Sequence, residues 1–430
     1  MGFGLAVTVG NAIGAGILRV PGEVAGHLPV SWLYIAVWVV GGLYAFLGAL
    51  QLAELGAMIP RSGGQYVFSR YALGEYPGFI VGWSDWISTC GTTAAVSLVV
   101  GEFSVALVPS LTGRAAAIAT AVTVVFAAVQ WRGIRWGSSV QNVTSALKAL
   151  AFVALAVAAF ALGGQTSSPE VLTPPAGFAL VGAFVLSLQA VIYTYDGWSA
   201  TIYFSEEVEN AGRDIPRSLV GGVVAVIAIY LLVNLALLSV LPMARLAEER
   251  FAAGAVAGVI FGAWGDPVFR ILTIVSMLSA INSNHLMASR VLFAMSRDGL
   301  VTSKAAVVNV GGTPTMALLV SAMVALLFIV FGRTFERVIT VLAFFFVANY
   351  TLSFASLFVL RRREPDKARP YRAWGYPWTT GVALLGSVAF LAGAIASDTA
   401  NSLVALLVLV ASYPAFRVMK WLTRSSRMAA

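Results

Sequence analysis

The charges of this chain are confined to short gaps between long apolar stretches, and that spacing limits the fold more than any other feature. A helix needs about 20 mostly apolar residues to cross the hydrocarbon core of a bilayer, and about twelve stretches meet that need. They lie near residues 3–26, 32–58, 77–108, 114–130, 138–163, 177–203, 216–240, 266–297, 314–331, 336–360, 377–397 and 401–422. With 59% hydrophobic residues, 11% charged and a mean hydropathy of +0.87, the chain does not read as a water-soluble globule. It reads as an all-α polytopic membrane protein, because backbone polar groups inside hydrocarbon must be paired within helices or a closed barrel.

Orientation follows from the placement of Lys and Arg. With a cytoplasmic N-terminus, the inner loops hold Arg61, Arg70, Arg132, Arg135, Arg213, Arg217, Arg297, Lys304 and the basic run 361–372, and the tail adds Arg417, Lys420, Arg424 and Arg427. The outer set is smaller: Arg114, Arg245, Arg250, Arg333 and Arg337. Both termini are therefore expected in the cytoplasm, with the protein in the plasma (inner) membrane and the lipid bilayer as its surroundings. The net charge of +8 is then a topological signal, and its spread over separate loops argues against nucleic acid. The single Cys90 falls inside the third span, so no disulfide-linked heavy subunit is expected. The first apolar run passes signal-peptide length and continues into Pro21-Gly22-Glu23, without a small-residue cleavage site.

Two spans are interrupted. Val9-Gly10-Asn11-Ala12-Ile13-Gly14-Ala15-Gly16-Ile17-Leu18 places three glycines and an asparagine where a membrane helix should be continuous, and each glycine weakens a helix by about 1 kcal/mol relative to alanine. The sixth span repeats the theme in Ala190-Val191-Ile192-Tyr193-Thr194-Tyr195-Asp196-Gly197-Trp198-Ser199. A broken helix presents N–H groups suited to an anion at one half-helix end and carbonyls suited to a cation at the other, and a zwitterion needs both. Breaks at corresponding positions point to an inverted repeat. On that reading residues 1–163 form the first repeat, 177–360 the second, 376–423 two added spans and 424–430 a cytoplasmic tail, all in one transmembrane domain. For an isolated cluster of small residues, close helix packing would be the simpler explanation; the matching second break favours a site.

These residues carry a resemblance. The stretch 9–17 followed by Val20-Pro21-Gly22 resembles the first-helix motif of amino acid permeases of the amino acid-polyamine-organocation superfamily. Three more stretches match in order: 54–66; Tyr195-Asp196-Gly197-Trp198 leading into 205–210 and Asp214-Ile215-Pro216-Arg217; and 289–299. The resemblance spans nearly the whole chain and is nearest to the bacterial L-type and cationic amino acid transporter branch. It implies a LeuT-like 5+5 fold with helices 1 and 6 broken and two extra C-terminal helices. One departure is the very short N-terminus, which in that family carries part of the inner gate.

The resemblance also implies site residues. The substrate carboxylate would meet the N–H groups of Gly14, Ala15 and Gly16, and its amine the carbonyls near Ile13, Tyr193 and Asp196. Ile17, Thr194, Tyr195 and Gly197 complete the expected binding set, and Tyr193 takes the place of the aromatic gate. Asp196 has two readings, attraction of a cationic side chain or capping of the resumed helix, and its position directly before Gly197 favours the cap. Lys148 lies about ten residues into the fifth span, too deep to snorkel easily. The resemblance places it against the first break, where an ammonium would substitute for a coupling cation, giving proton coupling or sodium independence. Its alternative is a charged strut bound to carbonyls.

Asn282 in the eighth span is the expected polar pathway residue, and Glu206 an inner latch. No paired catalytic carboxylates, zinc-spaced ligands, Walker motif or Ser/His arrangement suggests an enzyme, a cofactor or a metal. The function expected is secondary active amino acid transport by alternating access, coupled to protons or to a counter-transported amino acid. A polyamine or other organic-cation carrier, or a non-transporting amino acid sensor, are the alternatives on the same fold.

Overall fold

The computed structural model describes residues 8–132, 137–164, 173–332 and 334–428, with the side chains of 137–146, 148, 207 and 424–428 outside that description. Among the described residues the regular elements are all helices. A short helix α1 over residues 8–12 stops at Ile13 and Gly14, and α2 (Ala15–His27) resumes beyond them. After α3 (Ser31–Met58) the chain turns through Gly63 and Gly64, at φ +133° and +73°, into the short α4 (Gln65–Leu73). Helix α5 (Glu75–Leu107) follows, and its 33 residues at 1.5 Å each reach about 50 Å, which exceeds the hydrocarbon core and requires tilt or protrusion. Helices α6 (Ala115–Arg132) and α7 (Gly137–Leu162) close the first half.

The second half opens with α8 (Phe178–Tyr195), which ends at Asp196. A turn through Gly197 leads into a 3-10 segment, Ala200–Glu207. Then come α9 (Ala211–Val240), two short helices α10 (Met243–Glu248) and α11 (Ala252–Phe261), and α12 (Gly265–Arg297). Helices α13 (Thr315–Gly332), α14 (Phe335–Arg363), α15 (Trp378–Ser397) and α16 (Thr399–Met428) complete the chain. Ten of the described helical segments are long and apolar enough to cross a membrane. With the interrupted α1–α2 and with α7, they make up the spans expected from hydropathy.

The interior is built by α5 against α12 and α14, and by α3 against α9 and α8. Apolar side chains also cover the outside: Leu385, Leu407 and Val410 on α15 and α16 are each two-thirds or more exposed. That is the pattern of a protein whose solvent is lipid. Two shorter stretches are packed into the bundle. Helix α4 buries Gln65, Tyr66, Val67, Phe68, Ser69 and Ala72, because it is wedged between α5 and α14. The loop after α9 contains α10 and α11, and Gly22 of α2 packs so closely on this region that a Cβ there would lie 2.1 Å from the carbonyl oxygen of Glu249.

Polar groups tie the ends of α3 and α14. Glu54, fully buried, accepts a hydrogen bond from Arg361 at 2.6 Å and from the backbone N–H of Ala373 at 2.7 Å, with Arg369 paired at 3.2 Å. The Arg369 side chain is itself only 2% exposed, so removing the carboxylate leaves a buried cation without its counter-charge. Glu54→Ala is expected to destabilise the protein by about 3–5 kcal/mol. A melting curve of the purified variant in detergent checks this; an unchanged midpoint would show that the pair is not a structural tie.

Candidate functional site between the two helix breaks

The two interrupted segments press against each other. A Cβ on Gly16 would stand 2.7 Å from the Cα of Thr194, and one on Gly197 would come within 2.9 Å of the Asn11 carbonyl. Gly197 also has φ +99°, a conformation that residues with a Cβ adopt only under strain. The glycines thus allow close packing and hold the site together at once.

Breaking a helix releases carbonyls that lipid cannot satisfy. Tyr230 on α9 meets one from each break: its hydroxyl lies 2.5 Å from the Ala12 carbonyl and 2.9 Å from that of Thr194, with its single proton shared between them. The ring is fully buried, edge-on to Trp38 and packed on Tyr195.

Beside this junction lies a cavity of about 60 Å³, room for a few water molecules. Gly14, Ala15 and Gly16 line it from the start of α2, and Tyr193, Thr194 and Asp196 from the end of α8. The first N–H groups of a helix and the last carbonyls of another have no partners within their own helices. Opposite ends of two helix dipoles therefore face one space, one suited to an anion and the other to a cation. The remaining walls come from Asp85, Thr89 and Thr92 on α5, from Asn284 and Met287 on α12, and from Phe346 on α14.

Both carboxylates in the wall are held by tyrosines. Tyr350 of α14 donates to Asp196 at 2.5 Å, and Tyr203 of the 3-10 segment donates to Asp85 at 2.6 Å. Asp196 therefore does not simply cap the resumed segment, whose cap position is Ser199 and which has no side-chain cap. It ends α8, and its carboxylate reaches across to a different helix.

The cavity is bracketed along the bundle. On the α2 side, the Tyr193 ring lies nearly parallel to Phe346, at 6.3 Å, and edge-on to Phe335, at 5.6 Å. Arg19 sits beyond it, over the Phe335 ring, and pairs with Glu102 and Glu336, each at 2.8 Å. One buried guanidinium thus joins α2, α5 and α14. On the opposite side, Asp298 at the end of α12 receives Arg61 at 3.1 Å, Arg70 at 2.8 Å and the Tyr66 hydroxyl at 2.6 Å. Nearby, Glu206 pairs with Arg297 at 3.1 Å.

Of the residues singled out from sequence, Gly14, Ala15, Gly16, Tyr193, Thr194, Asp196 and Gly197 meet at the cavity. The side chains of Ile13 and Ile17 are buried outside its wall. Tyr195 turns away, donating to the Trp38 carbonyl of α3 at 3.1 Å. Asn282 receives the amide of Gln130 on α6 at 2.5 Å, and Asn284, two residues on, lines the cavity. Helical periodicity alone cannot decide which of two nearby polar residues faces inward. The side chain of Lys148 lies outside the described residues.

Sequence reasoning passed over Asp85, Arg19, Glu102 and Tyr230. The first three are charged groups within apolar runs, and the rule that such groups are functional by default marks them. Tyr230 gives no such signal, because a tyrosine within an apolar span is common in any packed core.

The chain is similar to the serine/threonine exchanger SteT of Bacillus subtilis (strain 168), 26% identical over 97% of this chain and 95% of the relative. It is 27% identical to the b(0,+)-type amino acid transporter 1 of Homo sapiens, over 86% of this chain and 77% of the relative. It is 29% identical to the Homo sapiens Asc-type amino acid transporter 1, over 85% and 72%. The family pattern described as amino acid permease matches residues 5–413, and with it this multi-pass helical membrane protein belongs to the amino acid permease family.

Proposed function

We propose that this protein exchanges amino acids across the membrane by alternating access, holding the zwitterionic backbone of its substrate between the two helix breaks. The observation that carries the reading is the convergence of the α2 N-terminus and the α8 C-terminus on one cavity. Fixed backbone dipoles bind a carboxylate and an ammonium there without placing a net charge in the bilayer. Relatives named as an exchanger and as amino acid transporters support exchange over a continuous pore.

In this reading the carboxylate meets the N–H groups of Gly14, Ala15 and Gly16, and the ammonium meets carbonyls at the end of α8. Both termini are cytoplasmic. The Arg19–Glu102–Glu336 cluster then closes the outer path beyond the Tyr193 lid, and the Asp298 and Glu206 pairs close the inner one. Transport parts one cluster at a time. Residues 1–163 and 177–360 act as two inverted halves, an assignment supported by the matching breaks at 13–14 and 196–199. The chain's single cysteine, Cys90, is buried in α5, which supports operation without a disulfide-linked subunit.

Lys148 serves as the cation that replaces sodium, and by releasing and regaining its proton during the cycle it makes transport depend on pH. Leu147 and Ala151, on either side of it in sequence, line a second cavity together with Ile13 and Gly14, which supports its placement beside the first break.

The central test is counterflow in proteoliposomes. Vesicles loaded with unlabelled amino acid are expected to accumulate labelled amino acid transiently and saturably; conductance without saturation would indicate a channel instead. Gly16→Ala is expected to reduce exchange at least tenfold while the purified protein stays monodisperse, since its Cβ would separate the breaks; full activity would remove their contact from the mechanism. Exchange is expected to persist when sodium is replaced by choline. Lys148→Ala is expected to abolish any pH dependence seen in the wild type, and an unchanged pH profile would sink the proposed role of Lys148.

A further inference from the structure

Of the cavity wall's charged residues, two are described, and both are acids: Asp85 and Asp196. Among the described residues no Lys, Arg or His lines it. Each acid has one tyrosine hydroxyl on its Oδ1, but Oδ2 of Asp85, in a residue only 4% exposed, is buried with no hydrogen-bond partner among the described residues. Asn11 Oδ1, also in a residue of this wall, is unpaired as well. The unfilled positions are therefore acceptors, and they call for donors. Thr89, one turn along α5, does not supply one, because its hydroxyl is given to the Asp85 carbonyl at 2.8 Å.

The backbone breaks already provide for a zwitterion, whose charges cancel. Asp85 is extra. A carboxylate withdrawn from water is costly unless a cation or strong donors meet it, and among the described groups around the cavity only the Tyr203 hydroxyl does so, on Oδ1, which leaves Oδ2 unmet. The resting wall also holds Asp85 firmly: Gly64, at φ +73°, lets the backbone pass so close that a Cβ there would lie 3.0 Å from Asp85 Oδ2 and 2.6 Å from the Tyr203 ring. The carboxylate is thus positioned before a substrate arrives.

We propose that Asp85 reads the end of the substrate side chain, and that the cavity selects amino acids whose side chain carries a cation, an ammonium or a guanidinium. The proposal rests on the amino acid exchange reading and deepens it by naming the substrate class. The α-carboxylate lies at α2, the α-ammonium at the end of α8, and the side-chain cation pairs with Asp85 Oδ2 on the α5 wall. A charge-assisted hydrogen bond of this kind contributes about 1.5–3 kcal/mol, which corresponds to a preference on the order of 10- to 100-fold.

The test uses the full chain in proteoliposomes and compares lysine, ornithine and arginine with norleucine, which matches the lysine chain but lacks its terminal ammonium. Wild-type protein is expected to show a KM at least tenfold lower for lysine or ornithine than for norleucine. In Asp85→Asn that ratio is expected to fall towards one. Exchange of neutral amino acids with no competition from any of the three cationic ones would overturn this proposal and leave the exchange reading intact. Exchange of no amino acid would overturn both. An Asp85→Asn protein that keeps the wild-type ratio would also overturn the role of Asp85. Should that variant fail to fold, Asp85→Glu is measured in its place: a lysine-to-norleucine ratio equal to the wild type's, despite displacement of the carboxylate, would overturn the positional reading.

Discussion

The structure depends on how it satisfies backbone groups that a bilayer cannot. Two helices are interrupted at the centre of the bundle, and every carbonyl and N–H released there needs a partner that lipid does not supply. Tyr230 meets a carbonyl from each break with one hydroxyl, and Gly16 and Gly197 let the two backbones approach closely enough for that to happen. What remains unsatisfied is arranged around a small cavity, with helix ends of opposite polarity facing it. Binding capacity is therefore the remainder of an otherwise closed hydrogen-bond account.

Around this centre, rigid and separable parts alternate. Helix α5, long enough to extend past the hydrocarbon core, packs on α12 and α14 and presents both Asp85 to the cavity and Glu102 to the Arg19 cluster. The ion pairs on either side of the cavity join different helices: Arg19 links α2, α5 and α14, and Asp298 links the end of α12 to α4 and the loop before it. Such pairs are strong when dehydrated and weaken when water enters. That makes them suited to closing a path that must open again. The aromatic contacts of Tyr193 with Phe335 and Phe346 exclude water on one side without any charge being moved.

Much of this was legible in the sequence, for physical reasons that apply residue by residue. The apolar runs had to become spans, because helices satisfy their own backbones. Gly14, Gly16 and Gly197 marked the breaks, because glycine weakens a helix where nothing else in the span does, and the structure brings all three to the cavity. The side chains were harder. Asn282 and Asn284 are equally polar, and only the packing of α6 against α12 decides that the first meets Gln130 and the second faces the cavity. Likewise only packing shows that α5 and α14 enclose the polar stretch of α4.

The sequence by itself determined an all-helical membrane protein, the location of its two breaks and its kinship with amino acid permeases, because these follow from local hydropathy, local helix propensity and residue order. Tertiary structure decided which groups converge across the bundle. Tyr230 joined the breaks, Arg19 found Glu102 and Glu336, and Asp85 was placed in the wall with one oxygen unmet by any described residue. Those pairings connect residues from 36 positions apart, as for Tyr230 and Thr194, to 317, as for Arg19 and Glu336. No local pattern encodes them, since a charged side chain in hydrocarbon signals only that it needs a partner, and the identity of that partner is set by the packing of distant helices.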